Sequence, residues 1–111
     1  LAWLTCACCG YVTLAGGRGD YDICPICFWE DDPVQFADPL FKGGANPPSL
    51  ADAQRSYMEH GVGELRFKSK VRPPASTDLK DIAWRPFVDG DHVFKGKFDD
   101  FDHLPYWMKN R

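Results

Sequence analysis

Apolar and polar residues along this chain alternate in short, interrupted stretches, and a single stretch follows a helical period. Trp3, Leu4 and Thr5, then Tyr11, Val12, Thr13 and Leu14, are β-favouring residues on either side of a first cysteine turn. Tyr21-Asp22-Ile23 and Phe28-Trp29 flank a second turn, and the loop Gly16-Gly17-Arg18-Gly19-Asp20 joins the two. The pattern predicts a short hairpin clipped at both ends, closed by the acidic run Glu30-Asp31-Asp32, read as a solvated turn, and the breaker Pro33. Residues 33–48 carry Pro33, Pro39, Pro47, Pro48 and Gly43-Gly44 and predict irregular chain. The helix follows. Ser49 and Asp52 make an approximate capping box, Leu50, Ala53, Tyr57 and Met58 form the buried stripe, Asp52, Arg55 and Glu59 face out, and Gly61 stops it. Residues 62–72 alternate apolar and basic, which predicts an extended segment with Arg66, Lys68, Lys70 and Arg72 on one face, ended by Pro73-Pro74. Beyond Ala75 the pattern is poor. Ile82, Trp84, Phe87, Val88, Val93 and Phe94 are candidates for a hairpin around Asp89-Gly90-Asp91.

The two turns change this picture most. Cys6–Cys9 and Cys24–Cys27 are Cys-x-x-Cys pairs separated by residues 10–23. Each pair sets two soft thiolates at the ends of a tight turn, and two turns brought together supply the tetrahedral sulfur set of a structural zinc ion. Gly10 follows the first pair, where a positive φ is often required, and Pro25 pre-sets the second turn. Cys6, Cys9, Cys24 and Cys27 are therefore the expected metal ligands, with structural Zn2+ as the cofactor. The expected fold is small α+β: a metal-clipped β-hairpin (a zinc ribbon), one helix, and an irregular, aromatic-rich C-terminal segment. Iron is the rival ion, since the turns are also rubredoxin-like, although Phe28 replaces the glycine expected after the second pair. A thioredoxin-like pair fits less well, with two pairs and no βαβ pattern. Cys8 is read as a small side chain in a tight turn.

Size explains why a metal would be useful. At 111 residues the chain is expected to be one domain, 1–111, comprising the ribbon (1–32), a loop, helix and basic segment (33–74) and a partner-specific extension (75–111). A chain of this length buries a modest fraction of its surface, and a metal clip contributes directly to folding. Five cysteines, four of them in metal-type pairs, fit a reducing cytoplasm better than a disulfide scaffold. No stretch approaches the length of a membrane span.

Charge argues against nucleic acid. Net charge is −3, and residues 1–40 hold one cation, Arg18, against six acids. Four zinc-bound thiolates add further negative charge there, whereas nucleic-acid binders present a basic footprint. Catalysis is not expected either. His60, His92 and His103 show no spacing to one another or to a serine, and four thiolates fill the coordination position that a catalytic zinc keeps open. Asp99, Asp100, Phe101, Asp102, Tyr106 and Trp107 mix aromatics with acids and form the expected partner-binding surface for a basic protein, with core packing as the simpler role for most of the aromatics.

The order Cys6-Ala7-Cys8-Cys9-Gly10-Tyr11, Ile23-Cys24-Pro25-Ile26-Cys27-Phe28-Trp29-Glu30-Asp31-Asp32, Gly43-Gly44-Ala45-Asn46, Ser49-Leu50, Arg55 and Val71-Arg72-Pro73-Pro74 resembles the bacterial cysteine-rich CPCC family. Ala7 stands where the Cys-Pro-Cys-Cys of the family name has proline. The resemblance implies a small cytoplasmic metal-binding protein without assigned activity. Members look like neighbours of polymorphic toxins, where small acidic proteins serve as immunity factors. The resulting expectation is a non-enzymatic, zinc-stabilised interaction module, an immunity protein whose partner is a cognate toxin with a basic active-site cleft. The alternatives are a zinc-ribbon nucleic-acid binder using Arg66, Lys68, Lys70 and Arg72, and a rubredoxin-like electron carrier.

Overall fold

The computed structural model describes residues 3–91 and 105–108. Two strands, β1 (Leu4–Thr5) and β2 (Val12–Leu14), pair antiparallel with Leu4 opposite Leu14 and Thr5 opposite Val12, and a bulge lies between Leu4 and Thr5. The hairpin thus closes around the first cysteine turn itself. The second turn is closed the same way by an isolated antiparallel bridge between Ile23 and Glu30.

Two helices follow. Helix α1 (Pro33–Ala37) begins at Asp32, whose Oδ1 accepts from the Val34 and Gln35 amides at 2.7 and 3.2 Å. Pro33 suits that start because the first helical N–H has no intrahelical partner to lose. Helix α2 (Leu50–His60) is capped by Ser49, which accepts from the Asp52 amide at 3.1 Å, and it ends at Gly61 with φ +78°. Its buried face is Leu50, Ala53 and Gln54, with Tyr57 partly buried beside them. Met58, expected in that stripe, is 58% exposed. The spacing of Leu50, Ala53, Gln54 and Tyr57 is the one that keeps a single helix face, and Met58 lies past its edge.

Residues Leu65–Lys70 form a 3-10 helix, not the extended segment that the alternation predicts. Phe67 donates its amide to the Glu64 carbonyl at 3.0 Å, and its ring packs on Phe28 with centroids 4.3 Å apart. A tight turn brings Phe67 onto Phe28, and it also removes the shared basic face. Arg66 bonds Glu64 at 3.0 Å, Lys68 donates to the His60 carbonyl, and Arg72 bonds Asp78 at 2.7 Å.

The acidic run is internal structure, not a solvated turn. Asp31 is 1% exposed, bonded by Arg18 at 2.8 Å and by the Gly19 amide at 2.9 Å. Asp32 caps α1 with one oxygen and with the other accepts from the Ala45 amide at 2.8 Å. Gln35, fully buried, donates to the carbonyls of Phe41, Asn46 and Pro48 at 2.9–3.0 Å and accepts from the amide and side chain of Asn46. Asn46 in turn exchanges two bonds with the Glu30 backbone. A Cβ on Gly44 would lie 2.5 Å from Asp32 Oδ2, so the loop passes where only glycine fits. This network replaces regular structure through the proline-rich stretch, since buried backbone groups must find partners.

The core contains all five cysteines together with Leu14, Ile26, Trp29, Leu50 and Ala53. Trp84 and Phe87 pack against it. Gly90 has φ +95° in a turn closed by the Asp91 amide on the Val88 carbonyl at 3.1 Å. Val93 and Phe94, expected in a hairpin there, lie outside the described residues, and no strand forms at 82–88.

Candidate metal centre

Each cysteine turn is built by the same two backbone bonds. In the first, the Cys6 amide donates to the Tyr11 carbonyl at 2.9 Å and the Gly10 amide to the Cys6 carbonyl at 2.8 Å. In the second, Cys24 donates to Trp29 at 2.9 Å and Phe28 to the Cys24 carbonyl at 2.8 Å. The residue after each pair takes a positive φ, +83° at Gly10 and +69° at Phe28. Phe28 is thus a bulky residue in a glycine conformation, a strain of about 1–2 kcal/mol that packing on Phe67 offsets. Amides of the second turn also point at sulfur: Ile26 on Cys24 and Trp29 on Cys27, both at 3.4 Å.

The turns face each other. The sulfurs of Cys6, Cys9, Cys24 and Cys27 all lie within 4.8 Å of one another, and all four residues are 0% exposed. Across the turns, Cys6 and Cys27 are 3.5 Å apart and Cys9 and Cys24 are 3.7 Å apart. A tetrahedron with sulfur about 2.3 Å from zinc has edges of about 3.8 Å, whereas a disulfide needs about 2.05 Å. The five cysteines are free thiols. The donor set, its spacing and its burial therefore fit a metal ion.

Electrostatics point the same way. Burial pushes the Cys6 and Cys27 thiols up, and the hydrogen bond to Cys24 does the same to Cys9. Cys24, which accepts bonds from Cys27, Cys6 and Cys9 and from the Thr13 hydroxyl at 3.1 Å, is pushed down. One sulfur is stabilised as a thiolate at the expense of its neighbours, and a cation is what lets all four ionise together.

The expected ligands are thus brought together. Cys8 stands outside the set. It is buried, and its sulfur faces Gly63 across the core. The expected docking residues fare differently. Asp99, Asp100, Phe101 and Asp102 lie outside the described residues. Tyr106 and Trp107 are 4% and 6% exposed and belong to the core, so those two side chains are not surface anchors. Tyr106 meets Phe87 edge-on at 5.4 Å and receives a bond from Gln54.

Several contributors to the centre carry no motif. Gln54 donates to the Ala7 carbonyl at 2.9 Å and accepts from the Phe87 amide at 2.8 Å. Trp84 Nε1 donates to the same Ala7 oxygen at 2.7 Å, and Lys80 Nζ donates to the Cys9 carbonyl at 2.6 Å. A buried glutamine on an otherwise apolar helix face was the one available signal.

A family model described as "Cysteine-rich CPCC" matches residues 4–78. The chain belongs to this family. The match spans both cysteine turns, both helices and the glycine-proline loop that Asp32, Gln35 and Asn46 organise, and it ends before Leu79. No curated protein matches the chain. Among the described residues, no helix is long and apolar enough to cross a membrane.

Proposed function

We propose that this chain is a non-enzymatic, zinc-stabilised protein-interaction module, and that it serves in the bacterial cytoplasm as an immunity protein that occludes a cognate toxin. The observation that carries the metal half is the set of four fully buried sulfurs at tetrahedral spacing. With every coordination position filled by protein and no path to solvent, a bound ion acts on the fold and offers no site to substrate. A reducing compartment keeps the five thiols free.

The partner half is supported by charge. The sequence is net acidic at −3, and a bound tetrathiolate adds negative charge at the metal end. A net charge of that sign favours association with a basic cleft. The test is a pulldown from the producing strain: a protein toxin should be recovered with the chain, and co-expression of the two should rescue growth. Recovery of RNA or DNA in place of a protein contradicts the proposal.

A second reading, a rubredoxin-like iron carrier, draws on the paired backbone pattern and the amides aimed at Cys24 and Cys27. Ferric thiolate absorbs visible light and zinc does not, so a colourless protein rules it out. The nucleic-acid reading loses its premise with the 3-10 helix, because Arg66, Lys68, Lys70 and Arg72 do not line one face of a strand.

A further inference from the structure

The family match stops at residue 78, and a second set of contacts on the first cysteine turn, beside the bond from Gln54, begins at the next residue. Val12 donates to the Leu79 carbonyl at 2.9 Å, Tyr11 and Lys80 form a bridge, and the Asp81 amide donates to the Gly10 carbonyl at 2.8 Å. Thr5 Oγ1 donates to Asp81 Oδ2 at 2.6 Å, and Trp84 donates to Ala7. Three acceptors of the turn, the carbonyls of Ala7, Cys9 and Gly10, are thus bonded by Trp84, Lys80 and Asp81. The Lys80 ammonium bonds the Cys9 carbonyl while lying 4.6 Å from the ring centroids of both Tyr11 and Trp84. The two aromatic faces hold the cation beside the ligand-bearing turn.

A divalent ion on four thiolates leaves a net charge of about −2, and a cation fixed next to that turn favours it. We propose that residues 79–84 are a clasp that raises metal affinity at the first turn, with Lys80 acting through its charge as a positioning residue outside the ligand set. Because coupling is reciprocal, the ion must in turn tighten the clasp. This rests on the four cysteines holding zinc.

The experiment is competition for Zn2+ between the full chain and a chromophoric chelator, on the parent, Lys80→Met and Lys80→Arg. Outer contacts of this kind shift metal affinity about 10–100-fold. Lys80→Met, which keeps the stem and removes the charge, should weaken zinc by about tenfold, because the side chain is partly solvated. Lys80→Arg should stay close to the parent. Equal affinity in the parent and Lys80→Met overturns the clasp, as does equal weakening in both variants, since charge would then not matter. Absence of zinc binding in the parent overturns instead the metal reading beneath it. Should Lys80→Met not fold even in excess zinc, amide exchange on the parent decides. In the zinc-loaded parent the Val12 and Asp81 amides, which bond across the clasp, should exchange as slowly as the Cys6 amide inside the turn, and much faster exchange at Val12 and Asp81 than at Cys6 contradicts the proposal.

Discussion

Trp84 lies over Gly10, so close that a Cβ on Gly10 would sit 2.7 Å from the indole. The turn that carries Cys6 and Cys9 is therefore shaped from outside as well as from within, and glycine leaves the room that the indole takes.

Gly10→Ala tests this against a matched control. Gly43 has nearly the same φ, +85° against +83°, but open space around it. Gly43→Ala should cost about 1–2 kcal/mol from backbone strain. Gly10→Ala should cost about 1–3 kcal/mol more from the collision. Urea midpoints of the zinc-loaded proteins measure the difference, and equal costs would refute the packing of Trp84 on the turn.

Serine scanning separates ligands from neighbours. Replacing Cys6, Cys9, Cys24 or Cys27 should weaken zinc by more than the roughly 10–100-fold typical of an outer contact. Cys8→Ser should retain stoichiometric zinc, because Cys8 stands outside the sulfur group. Metal analysis of each purified variant decides it.

Stability of the zinc-loaded protein should fall with acid. Burial pushes the Cys6 and Cys27 thiols up, so without a cation they hold their protons. Zinc needs all four as thiolates, and protons compete with it for them, so the ion and the stability it supplies are lost as pH falls. Thermal midpoints of the zinc-loaded protein should drop as pH is lowered from neutral, and a midpoint that does not move contradicts this.

The Gln35 network predicts a large effect far from the cysteines. Gln35→Leu leaves three carbonyls without this donor and Asn46 without its acceptor, at a cost of about 3 kcal/mol. Val34→Ala on the neighbouring, half-exposed position should stay within about 0.5 kcal/mol of the parent. Denaturant titration of the two variants checks it.

The cysteine turns were legible because ligand chemistry restricts residue type and spacing together, and α2 because Ser49 and Gly61 mark its ends. The remainder was decided by partners distant in sequence. Phe67 turns residues 65–70 away from an extended path to reach Phe28, and nothing local in the alternation of Arg66, Lys68 and Lys70 signals it. Asp31 and Asp32 read as solvated because acids in a run usually are, yet Arg18, Gly19 and Ala45 satisfy their oxygens in the interior. Tyr106 and Trp107 were expected on the partner surface, with core packing as the simpler role for most of the aromatics; both are buried, and Gln54 and Phe87 supply the core partners of Tyr106. Lys80 belongs to no motif and is placed by the Cys9 carbonyl and the rings of Tyr11 and Trp84.

The central claim is that a metal held by four sulfurs substitutes for the larger core this chain lacks. Native mass spectrometry of the purified chain, before and after chelation, tests it most directly. The account predicts a compact ion carrying one zinc, shifting to an expanded, metal-free charge distribution on chelation. A compact chain at its bare sequence mass, unaffected by chelator, would contradict it.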